Sequence, residues 1–184
     1  MIDIQTKIES MSLEEIKQRL AEYMAADKEL MPGLVAVEVR LSQTGTAKCR
    51  YSVLLIDEEG GEIEVKFRDR YSRLVYIYTL LHPQGYQRRV PAAKDYRELC
   101  HLYSMLYFRD SDALLNTIAS TDFDHFLSHY IAQSRNAIRQ ASPLAEPFAI
   151  DRPQSHNGKV LIPFVADGGN VIIDASLRIN KSHL

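Results

Sequence analysis

The sequence predicts an α+β fold: an antiparallel sheet, then a block of helices, then a C-terminal β-hairpin. Three observations predict it. Residues 35–68 alternate apolar and polar with a period of two, residues 70–140 switch to helical spacing, and residues 148–174 return to short strands around SHNG and DGGN turns.

Ser12, with Glu15 three residues on, has the spacing of a capping box and opens a first helix. Leu13, Ile16, Leu20 and Met24 recur along one face until Pro32-Gly33 ends it. Three strands follow. Val35, Val37, Val39 and Leu41 alternate with Ala36, Glu38 and Arg40; Cys49, Tyr51, Val53 and Leu55 with Lys48, Arg50 and Ser52; Ile63, Val65 and Phe67 with Glu62, Glu64, Lys66 and Arg68. One polar face per strand predicts a sheet covered on a single side and solvated on the other. The connections SQTGT and DEEGG are hairpin-like, with glycine available for positive φ.

Leu74, Val75, Ile77, Tyr78, Leu80 and Leu81 make a helix that is apolar nearly all round, which places it in the core. His82-Pro83 stops it. A further helix spans about 93–108 with Tyr96, Leu99, Cys100, Tyr103 and Leu106 inward. A short one covers 112–119 after Ser111, and a long one runs from Thr121-Asp122 to about Gln140, burying Phe123, Leu127, Tyr130, Ile131 and Ile138. Pro143 and Pro147 close this block. Strands are then expected at 148–150, 159–164 and 171–174. Residues 1–45 are expected to form an N-terminal helix and first strand packed on a main domain of residues 46–184, with no linker between them.

Composition narrows the function. Hydrophobic content of 46% with 25% charged residues belongs to a folded domain and excludes global disorder. The N-terminal stretch is acidic where a signal peptide is basic, and no apolar run approaches the ~20 residues that span a bilayer. Cys49 and Cys100 stand far apart and read as two buried, reduced thiols. The expected address is the cytoplasm. Formal charge is uneven: residues 1–69 carry 9 Lys/Arg against 14 Asp/Glu, and residues 70–184 carry 13 against 10. That permits a nucleic-acid partner for the later part of the chain without arguing for one.

No GxSxG, GxxxxGK[ST] or GxGxxG motif occurs, so no enzyme is expected. Glu58, Glu59, Glu62 and Glu64 read as a solvated charge run, and the ten tyrosines as core-boundary residues. His125 and His129 have the i, i+4 spacing of a metal pair, but Phe126 stands where zincins place glutamate, and Asp122 is the lone carboxylate nearby at ligand spacing. No metal and no cofactor are expected.

A long polar-faced helix followed by a β-hairpin is the plan of a winged helix. With a small sheet ahead of the first core helix, residues 46–174 resemble the OmpR-type winged-helix effector domain of bacterial transcription regulators. Three stretches carry the resemblance: SVLLIDEEGGEIEVKF, YSRLVYIYTLLHPQGYQRR and HFLSHYIAQSRNAIRQAS. The middle stretch resembles that family's first helix. The last resembles its recognition helix, with Ser134-Arg135-Asn136-Ala137-Ile138 in place of the closing apolar-Arg-x-Ala-apolar run. Two features depart from the family: Ala132-Gln133 replaces its paired basic residues, and the wing strand reads Gly158-Lys159-Val160-Leu161-Ile162. Residues 1–45 are expected to hold no receiver domain.

The resemblance implies a non-catalytic transcription regulator whose partner is double-stranded DNA. On the long helix His125, His129, Ala132, Asn136 and Arg139 form a stripe flanked by Gln133 and Gln140. Amides suit adenine edges and arginine suits guanine. The expected DNA-binding set is His129, Gln133, Arg135, Asn136, Arg139 and Gln140 on this helix, with Arg88 and Arg89 before it and Lys159 on the wing. Asp122 and Asp124 would repel a phosphate near the helix start. The alternative is the same fold used for protein–protein contact or as a homodimer, which near-neutral charge and Ala132-Gln133 favour.

Overall fold

The computed structural model describes residues 12, 14–15, 17–18, 22, 32–42, 49–88, 93–107, 111–151 and 158–177. The chain divides into two units, residues 1–33 and residues 34–184. In the first unit the capping box forms as its spacing predicts. The Ser12 N–H donates to Glu15 Oε2 at 2.8 Å and the Glu15 N–H to Ser12 Oγ at 3.3 Å. The residues expected on its apolar face lie outside the described residues.

The second unit is mixed α+β. Its strands are β1 (Leu34–Leu41), β2 (Tyr51–Asp57), β3 (Glu62–Glu64), β4 (Tyr86–Gln87), β5 (Lys159–Val160) and β6 (Asn170–Ile173). Its helices are α1 (Arg70–Leu80), α2 (Ala93–Tyr107), α3 (Asp112–Thr121), α4 (Phe123–Ala141) and α5 (Pro163–Ala166). Among the described residues, no helix is long and apolar enough to cross a membrane.

Strand β1, expected with the N-terminal helix in residues 1–45, falls in the second unit. It lies inside the main sheet, whose order is β3-β2-β1-β6, and the boundary falls between Gly33 and Leu34. Val37 faces Leu55 and Val39 faces Val53 across the β1–β2 ladder, and all four are buried. The opposite face is not simply solvated. Arg40 bridges Glu38 and Glu62 at 2.6 and 2.8 Å, and Leu54, in register with Glu38 and Glu64, is buried.

The end of the chain departs most from expectation. Residues 171–174 were expected in a hairpin, but β6 joins the main sheet parallel to β1, with Val37 opposite Val171 and Val39 opposite Ile173. It pairs with the β1 edge that β2 leaves open, so fewer backbone groups go unpaired. The strand expected over 159–164 stops at Val160. Pro163 occupies the first turn of α5, where its fixed φ suits a helix and its missing N–H costs nothing. The DGGN turn ends that helix, with Gly168 at φ +84° and the Gly169 N–H on the Phe164 carbonyl at 2.8 Å. Of the expected hairpin, the Asp151 N–H still donates to the Leu161 carbonyl at 2.9 Å. Strand β5 pairs antiparallel with β4, Tyr86 opposite Val160. Phe148 closes a 3₁₀ turn, Glu146–Phe148, instead of starting a strand.

Helix α1 is buried nearly all round, as its composition predicts. Tyr76, fully buried, donates its hydroxyl to the Phe148 carbonyl at 2.9 Å, tying α1 to the turn after α4. Desolvation drives that phenol far above its ordinary pKa, so it remains a donor. Tyr76→Phe is expected to lower stability by about 1–3 kcal/mol, because it strands a buried carbonyl. Urea denaturation of the two proteins checks this.

Candidate nucleic-acid interface

Helix α4 is built to bury one side and present the other. Phe126, Leu127, Ile131, Ser134, Ala137 and Ile138 turn inward at helical spacing. Phe126 meets Tyr71 of α1 edge-on at 5.7 Å, and Ser134 donates to the Ser72 carbonyl at 2.7 Å. Ser134 is fully buried at this crossing, so the serine in the first apolar place of the closing run is a core residue. The outward side carries His125, His129, Ala132, Asn136, Arg139 and Gln140, all exposed, with Gln133 half-buried. The described residues of the main unit leave this stripe uncovered.

Asp122 is the one residue between α3 and α4, and its backbone sits at φ 60°, ψ 163°. Its carboxylate accepts from the His125 N–H at 2.8 Å and caps α4. Asp124 lies against Arg88. The two acids expected to repel a phosphate therefore have structural partners within the chain.

The predicted cations fare differently from the predicted amides. Arg139 grips Glu146 with a two-pronged fork, Nε to Oε2 and Nη2 to Oε1. Arg135 is largely covered, its side chain 11% exposed, and stands 3.8 Å from Glu146 and 3.9 Å from Asp151. Arg88, Arg135 and Arg139, all in the expected DNA-binding set, thus each face one of the protein's own carboxylates. Gln133 and Asn136 remain on the surface, Gln133 donating its amide to His129 Nε2 at 2.7 Å. Lys159 is exposed on β5. Arg89 lies outside the described residues. No third metal-ligand side chain joins His125 and His129 among the described residues.

Lys66 and Arg68 border the amides, and sequence periodicity misassigned both. It placed them on a polar sheet face, but β3 ends at Glu64. They fall in the segment leading to α1, which runs beside the later half of α4. Together with Ser72, Gln133, Asn136 and Gln140 they line a groove of about 300 Å³. Lys66 pairs with Glu64, whereas Arg68 is exposed with no carboxylate in ion-pair range among the described residues. On the other flank, Arg88, Ser128, Asn136, Arg135 and Arg139 line another groove of about 290 Å³. Asn136 stands between the two.

Glu146 carries a pH signature. The hydrogen bonds from Arg139, and the charges of Arg139 and Arg135, hold its carboxyl below the usual glutamate range. A depressed carboxylate contributes stability above the unfolded value of about 4.3, and that contribution is lost as the pH falls through the lower folded value. Carboxylate NMR is expected to show Glu146 titrating below the ordinary glutamate range. Arg139→Gln should move it up toward the ordinary range, with the Arg135 charge left in place.

Comparison of the chain with family models, curated proteins and solved structures gives no match.

Proposed function

We propose that the second unit is a winged-helix module that binds duplex DNA through α4 and acts as a non-catalytic transcription regulator. The element order supports the fold: α1, β4, α2, then α4, then two extended segments joined by the Asp151–Leu161 bond, with β5 returning to pair with β4. Helix α3 is an insertion into that plan. One observation carries the function. The longest helix among the described residues presents a stripe of amides, half-buried Gln133 with exposed Asn136 and Gln140, bordered by Lys66 and Arg68. Amides read base edges in the major groove, and flanking cations hold the phosphates.

Fluorescence anisotropy with a random-sequence duplex pool tests this. If Lys66, Arg68 and Lys159 meet three phosphates, affinity falls roughly fortyfold between about 50 and 200 mM salt. Binding that ignores salt, or no binding at all, contradicts the reading. An alternative, the same fold used for protein contact, draws on the ion pairs that neutralise Arg88, Arg135 and Arg139. It requires a salt-insensitive homodimer or partner complex, which sedimentation would reveal.

A further inference from the structure

The carboxylates facing α4 form an arrangement that goes beyond neutral surface pairing. Arg135 and Arg139 are one turn apart, and a single oxyanion, the Glu146 carboxylate, sits against both. Arg139 addresses it through two parallel N–H donors, the geometry with which arginine also grips a phosphate. We propose that Glu146 is the resident stand-in for a DNA phosphate at an Arg135–Arg139 site, and that duplex DNA must displace it to engage the later half of α4. This inference rests on the DNA-binding reading above and names the backbone contact that reading lacks on this flank.

The placement of Glu146 suits displacement. It opens the short 3₁₀ turn that follows α4, and its side chain is 58% exposed. Exposed ion pairs are cheap to break, so a phosphate can replace the carboxylate without unfolding anything. Arg135 is held from another direction by Asp151, at the start of the segment leading into residues 152–157. Arg135 therefore keeps a carboxylate beside it when Glu146 leaves. The adjoining groove also presents the exposed Asn136 amide, a further donor. Displacement has an ionic cost, because a freed Glu146 takes up a cation from solution and offsets part of the counterion release that drives binding.

The test compares the full chain with Glu146→Gln, using the same random-sequence duplex pool. The glutamine variant is expected to bind roughly two- to fivefold tighter, the worth of one exposed pair. Its plot of log affinity against log salt should be steeper by roughly one. Removing any negative charge near DNA would help somewhat, so both measurements are repeated in an Arg139→Gln background, where the gain should shrink because only Arg135 is left for the phosphate. Equal affinity of wild type and Glu146→Gln overturns the stand-in role, as does a gain of undiminished size in the Arg139→Gln background; either leaves DNA binding itself intact. Failure of both proteins to bind duplex at low salt overturns the underlying reading and this inference with it.

Discussion

Phe126→Ala lowers the stability of the second unit by about 3–5 kcal/mol, the cost of removing a large ring from a packed core. Phe126 is 1% exposed and lies where three aromatic residues meet, 5.7 Å from Tyr71 and 4.8 Å from Tyr130. Tyr71 in turn contacts Tyr103 of α2 and reaches the Ala113 carbonyl of α3 at 3.2 Å. One ring therefore helps fix how α4 packs on α1 and, through Tyr71, on α2 and α3. A chain of this size responds with a drop in Tm of about 2–4 °C per kcal/mol, or roughly 6–20 °C in all. Calorimetry with chemical denaturation checks it. A loss under about 1 kcal/mol would mean that α4 is held by something other than this cluster.

Gln133→Ala with Asn136→Ala has the opposite signature, leaving the fold alone and removing recognition. Both side chains point away from the core, so stability should change by no more than about 0.5 kcal/mol per site. If each amide makes a paired contact to an adenine edge, each is worth about 1–3 kcal/mol of discrimination. The double variant should then lose on the order of a hundredfold in affinity for a duplex selected from a random pool. Its affinity for unselected duplex should hardly move, because phosphate contacts carry that term. Parallel losses on both duplexes would show the amides to be bystanders.

Much of the fold was legible because its signals are local. The strands β1 and β2, the buried α1 and the inward face of α4 follow from residues two, three or four apart. The ends of α4 were nearly right for the same reason, since Asp122 caps it from an adjacent position. What could not be read depends on partners far along the chain. The parallel pairing of β6 with β1 joins residues more than a hundred positions apart, and no local pattern distinguishes such a strand from half of a hairpin. Pro163 did carry a usable signal, because a proline suits the first turn of a helix better than a strand interior.

The candidate site divides along the same line. That His129, Asn136 and Gln140 face outward follows from helical spacing. The pairing of Arg135 and Arg139 with Glu146 does not, because it depends on how the chain turns back after Ser142. Lys66 and Arg68 were misassigned because alternation was extended past the last ladder bond of β3. A long cationic side chain reports little about its surroundings until its neighbours are placed.

Whether α4 meets the duplex with its outward side is tested most directly by backbone amide NMR during titration with a short duplex. The largest shifts are expected at residues 132–140, with another group at 66–68 and around Lys159, all fading as salt is raised. Shifts confined to β2 and β3, with α4 unmoved, would contradict it.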